Sequence, residues 1–140
     1  MSTTILVGDV REKLAELPDE SVHCVVTSPP YFGLRSYGTE PVEWPDGWVG
    51  EFGKEPTIDL FVEHAVLIFR DVRRVLRSDG VCWLNIGDSY ATGSGGNGTK
   101  SAKQRSNQGT QFEPRGLATG FRPKDLMMVP ARLALALQAD

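Results

Sequence analysis

Residues 22–27, Val-His-Cys-Val-Val-Thr, run directly into Ser28-Pro29-Pro30-Tyr31, and that ending constrains the fold more than any other feature of the chain. The apolar run reads as a buried strand. Two successive prolines lock φ and remove two backbone N–H donors, so a sheet ladder cannot continue past Thr27. The carbonyls of this stretch stay available as acceptors, and Gly33 supplies a turn shortly afterwards.

The rest of the chain alternates around that strand. Residues 5–7 read as a short buried strand ending at Gly8-Asp9, and residues 10–17 as a short helix that stops at Pro18. Residues 33–56 carry no clear period, but Trp44, Trp48 and Phe52 argue for an ordered loop. Residues 57–77 show a broad apolar stripe, with Thr57 and Asp59 as caps and Gly80 as a terminator, which predicts a long helix. Residues 81–86 read as a third strand, residues 91–122 as a polar flexible loop, and the stretch from Pro130 as a last helix. Strand, helix, strand, helix, strand is α/β order, with a mainly parallel sheet and flanking helices. Ligands in such sheets bind beyond the carboxyl ends of the strands. Gly8-Asp9, residues 28–31 and Gly87-Asp88 all fall there.

Composition narrows the class. The 140 residues suffice for a single packed domain; 40% are hydrophobic, and no apolar run is long enough to span a bilayer. Neither a secretory signal nor metal-ligand spacing is evident, so the reading is cytoplasmic, and Cys24 and Cys82 are expected as reduced core thiols. The net charge of −3 argues against bulk electrostatic DNA binding, yet Lys100, Lys103, Arg105, Arg115, Arg122 and Lys124 face only Glu113 between residues 98 and 124. That local basic loop suits phosphate contacts or a solvated linker. Gly93, Gly95 and Gly98 satisfy a G-x-G-x-x-G pattern, but no apolar helix follows, so a linker explains them better than a dinucleotide site.

The 28–31 turn has a chemistry of its own. The Ser28 hydroxyl and the Pro29 carbonyl are two adjacent acceptors, and Tyr31 offers a flat face; together they suit a planar ring bearing an exocyclic amine. From Ile5 to Arg35, and onward through Arg73 to Gly80 and Asn85 to Tyr90, the chain resembles the amino-methylating DNA methyltransferases, the N4-cytosine and N6-adenine enzymes whose catalytic motif precedes the AdoMet motif. The resemblance implies a Rossmann-like fold, S-adenosyl-L-methionine as methyl donor and DNA as partner. It makes Ser28, Pro29, Pro30 and Tyr31 the catalytic turn, and Asp9, Val10, Thr27 and Asp88 the cofactor side. Phe32, Arg35, Lys100, Lys103 and Arg105 become expected DNA contacts. Serine at the first position favours cytosine-N4.

The family's Asp-Pro-Phe-x-Gly-x-Gly-like cofactor turn is not found in these 140 residues. The chain is therefore expected to be the N-terminal part of a methyltransferase domain, completed by a C-terminal segment or chain that carries that motif. RNA or protein amino-methylation, and a non-catalytic nucleic-acid-binding fragment, are the alternative readings.

Overall fold

The computed structural model describes residues 2–34, 36–91 and 120–140. Its organising element is α2 (Ile58–Val75), which Thr57 opens by accepting the Leu60 N–H at 3.2 Å on Oγ1. Ile58, Phe61, Ala65, Val72 and Val75 form its buried stripe. Phe61 and Val75 are wholly buried, and a side chain of that kind contributes about 1.5–3 kcal/mol on leaving water. Phe61 packs on Phe32 and Phe52, and Ala91, Met127 and Val129 close the same core.

Ahead of α2 come α1 (Val10–Ala15), β1 (Val22–Thr27), and the short strands β2 (Val42–Glu43) and β3 (Val49–Gly50); after it come β4 (Leu76–Leu84) and α3 (Val129–Ala139). β1 and β4 pair in parallel, from Cys24 opposite Val81 to Thr27 opposite Leu84, with a register irregularity between Val22 and Cys24. β2 and β3 form an antiparallel hairpin inside the loop expected at 33–56. The α/β order and the parallel pairing with flanking helices stand as expected. Arg74 joins two layers by donating to the carbonyls of Leu14 and Leu17 and pairing with Asp19. Its positive charge in the last turn also complements the dipole at the helix end.

Three expectations need correction. Residues 5–7 form no strand: Ile5 and Val7 are 81% and 84% exposed, because a strand needs a ladder partner and the described residues offer none. Gly80 does not end α2. Leu76 turns extended and closes the helix through its N–H to the Val72 carbonyl, so Gly80 falls inside β4. Nor are Cys24 and Cys82 core thiols; both are exposed. The helices cover one face of the sheet, while Cys24, Val26, Val81 and Trp83 lie on the other, uncovered by the described residues. The G-x-G-x-x-G stretch and the 98–119 part of the basic loop lie outside the described residues.

Candidate active site

The 28–31 turn begins where β1 runs out of ladder partners: the Thr27 carbonyl accepts the Asn85 N–H at 2.9 Å, and the chain then leaves the sheet. Ser28 is exposed, and its Oγ lies 3.5 Å from the Tyr31 hydroxyl, at the limit of a hydrogen bond. Pro29, Pro30 and Tyr31 are half-buried. The Tyr31 ring rests on the loop after β4. A Cβ added to Gly87 would sit 2.7 Å from Tyr31 Cε2, so glycine there is what lets the ring lie against the backbone.

Since prolines carry no N–H, the turn is tethered by residues further along the chain. Leu34 N–H donates to the Tyr31 carbonyl at 3.3 Å, and Gly33, at φ +70°, donates to the Gly53 carbonyl at 2.8 Å. Phe32, expected at the DNA surface, is 4% exposed with its ring 5.4 Å from that of Phe61. The residue faces the core, in the cluster that holds Ile58, Phe61, Met127 and Val129. Its carbonyl accepts the Ser89 hydroxyl, which ties the turn to the loop after β4.

Asp9 caps α1 by accepting the Arg11 N–H at 2.8 Å and also pairs with that residue's guanidinium at 3.0 and 3.1 Å. The hydrogen bonds from the Arg11 side chain hold the Asp9 carboxyl below the usual carboxylate range. Val10, the next residue, is 48% exposed. A cleft of about 470 Å³ connects these residues to the turn; Gly8, Asp9, Val10, Pro30, Tyr37 and Trp44 are among its walls. That volume lies within the range of ligand pockets.

Asp88, expected on the cofactor side, also carries structural hydrogen bonds. Its Oδ1 accepts the N–H groups of Ser89 at 2.8 Å and Val129 at 2.9 Å. Met128, the residue before α3, has a left-handed backbone and no side-chain cap bond, so Asp88 caps α3 from 41 residues away. The structure thus brings Asp9, Val10, Thr27 and the 28–31 turn to one sheet edge and gives Asp88 a bracing task nearby. Arg35, Lys100, Lys103 and Arg105 lie outside the described residues.

Sequence reasoning passed over Arg11, Gly53 and the Trp44 hairpin, and it placed Gly87 at the sheet edge without its role as the seat of the Tyr31 ring. Arg11 was signalled by its position two residues into a helix capped by an acid; Gly87 by its place just past a strand end.

The parallel β1 and β4 pair with its flanking helices is part of a Rossmann-like methyltransferase fold. The DNA methylase family, which embraces the N6 and N4 methyltransferases, matches residues 22–133, and the chain belongs to that family. It is 46% identical over 140 residues to the type II methyltransferase M.SmaI of Serratia marcescens, covering 99% of this chain and 44% of that protein. It is 44% identical over 139 residues to M.XycI of Xanthomonas campestris pv. cyanopsidis, covering 99% and 42%. With M.Cfr9I of Citrobacter freundii the identity is 40% over 138 residues, covering 98% and 42%. The chain thus spans less than half the length of these relatives.

Proposed function

We propose that this chain supplies the amine-gripping half of a type II DNA methyltransferase, which moves a methyl group from AdoMet to the exocyclic amine of a flipped base. The observation that carries the reading is the 28–31 turn, held at the carboxyl end of β1 with Ser28 Oγ beside the Tyr31 hydroxyl. An exocyclic amine is a weak nucleophile because its lone pair is delocalised into the ring. Ser28 Oγ and the Pro29 carbonyl would accept its two N–H groups and draw the nitrogen toward tetrahedral geometry, which frees the lone pair for methyl transfer; the demethylated thioether leaves and the nitrogen sheds one proton to solvent. Orientation of this kind can be worth several kcal/mol of the barrier. A duplex base reaches the turn only when flipped from the stack, and the Tyr31 ring stacks on it, worth roughly 1–3 kcal/mol.

The fit of AdoMet to this chain is partial. The cleft from Asp9 and Val10 to Pro30 has room for a ligand, and the paired Asp9 keeps acceptor capacity for a hydroxyl or amine. When bound, AdoMet supplies an electrophilic methyl group; Asp9 and Val10 would hold its nucleoside end. Thr27 serves the same side through its place at the strand end.

A segment or chain that pairs beside Ile5, Leu6 and Val7 and covers the Cys24, Val26, Val81 and Trp83 face would complete both sheet and cofactor pocket. The exposure of those apolar residues supports that partner, as does the length of the relatives beyond the matched region. Serine rather than an acid at position 28 favours cytosine-N4 over adenine-N6. Arg35, Lys100, Lys103 and Arg105 are the proposed phosphate contacts. Tritium transfer from AdoMet by the completed enzyme, measured with DNA and RNA in competition, tests the reading. Labelled DNA is the expected product, and label confined to RNA or to protein would overturn it.

A further inference from the structure

Among the described residues, one buried cluster of ionisable groups is given no task by the methyl-transfer reading. His64, in the middle of α2, and Glu55, just ahead of that helix, are each 1% exposed. Their Nδ1 and Oε1 atoms lie 3.0 Å apart. The Trp44 indole stacks on the imidazole at 3.9 Å between ring centroids, tilted by 14°. His64 Nε2 is 3.5 Å from Asp46 Oδ1 but lacks hydrogen-bond geometry to it. Burying such groups is costly, and here the second carboxylate oxygen shows what the arrangement holds.

Glu55 Oε2 accepts the Gly53 N–H at 2.9 Å. The Gly53 carbonyl in turn accepts the Gly33 N–H at 2.8 Å. Gly53 has φ +93°, and a Cβ there would stand 3.0 Å from Pro30 Cβ and 3.3 Å from the Tyr31 carbonyl oxygen. Its backbone is thus the wall behind the turn. Pro29 and Pro30 cannot anchor themselves through N–H groups, so their position depends on that wall and on the Gly33 tether. Trp44 extends the cluster the other way: the Arg11 guanidinium lies 4.4 Å from its ring centroid, and Arg11 grips Asp9.

We propose that Glu55, fixed by His64, is a positioning residue for the amine-gripping turn, setting the Gly53 backbone against Pro30 and Tyr31. Its catalytic meaning rests on the methyltransferase reading; its mechanical meaning does not.

Amide hydrogen exchange on the 140-residue chain, without DNA or methyl donor, separates the two. Glu55→Ala should speed exchange at Gly33 and Gly53 about tenfold relative to Asn85, whose N–H is held in the sheet, the effect expected for loss of one buried charge-assisted bond. Glu55→Gln should restore slow exchange, because its amide can accept from Gly53 and donate to His64 Nδ1. His64→Phe keeps an aromatic ring for Trp44 but removes the imidazole nitrogen, and should speed the same two amides should Glu55→Ala fail to fold. In the completed enzyme, Glu55→Ala should lower kcat about tenfold and leave KM for DNA within about twofold, with Glu55→Gln close to wild type. Unchanged exchange in both Glu55→Ala and His64→Phe, or Glu55→Gln as impaired as Glu55→Ala, would overturn the proposal. Faster exchange with unaltered kcat would uphold the mechanical role and overturn the catalytic one.

Discussion

Asp9 and Glu55 are two carboxylates whose environments push them in opposite directions. Asp9 is drawn below the usual carboxylate range, first by its hydrogen bonds from the Arg11 side chain. It therefore adds stability that is present above its unfolded pKa and lost as pH falls through the lower folded one, a window below about pH 4. Asp9→Ala should cost about 1 kcal/mol in urea unfolding at neutral pH through loss of the α1 cap. That penalty should shrink in acid. Glu55 is raised, first by burial, with partial compensation from its partners. Its folded form binds a proton that the unfolded form releases, so wild-type stability should fall relative to Glu55→Gln as pH rises above about 4.3. Paired thermal melts across that range would show it; a difference independent of pH would contradict the burial of an ionising Glu55. The Asp9 cap was legible in the sequence because its partner is two residues away. The Glu55 and His64 pair was not, since no local pattern announces a contact across nine residues.

Among the elements, those with a strong internal signal were legible. α2 declared itself through a sustained apolar stripe and Thr57 at its start, and β1 through an apolar run closed by prolines. Thr57→Ala should cost about 1 kcal/mol, read from the urea midpoint at constant slope. The β2 and β3 hairpin went unread because two residues per strand carry no period. The α2 terminus was misread because Leu76, rather than a left-handed glycine, ends the helix by turning extended. At the site, the loop after β4 matters through a missing side chain. Gly87→Ala would drive a methyl group into the Tyr31 ring and push it off its seat. Tyrosine ring signals should shift in the NMR spectrum of that variant, while the Asn85 amide, held by Thr27, should keep its protection. An unmoved ring would contradict the close packing of Tyr31 on that loop.

For the molecule as a whole, the carboxyl edge of the sheet gathers Asp9, Thr27 and the 28–31 turn, as the α/β order implies. Asp88 braces α3 from the same edge, a task set by a partner 41 residues on and so invisible to local reading. The open sheet face and the unpaired residues 5–7 could not be foreseen from periodicity, which marks residues as apolar without saying what covers them. Filling that face should protect Ile5, Leu6, Val7 and Trp83, visible as a blue shift of tryptophan emission when the proposed completing segment is added. A grip of the 28–31 turn on an exocyclic amine for methylation can be read by nucleoside mass spectrometry of DNA treated with AdoMet and the completed enzyme, wild type or Ser28→Ala. N4-methylcytosine is expected from wild type, with a yield lower by about tenfold or more from Ser28→Ala. Equal yields from the two proteins, or no methylated amine from wild type, would contradict it.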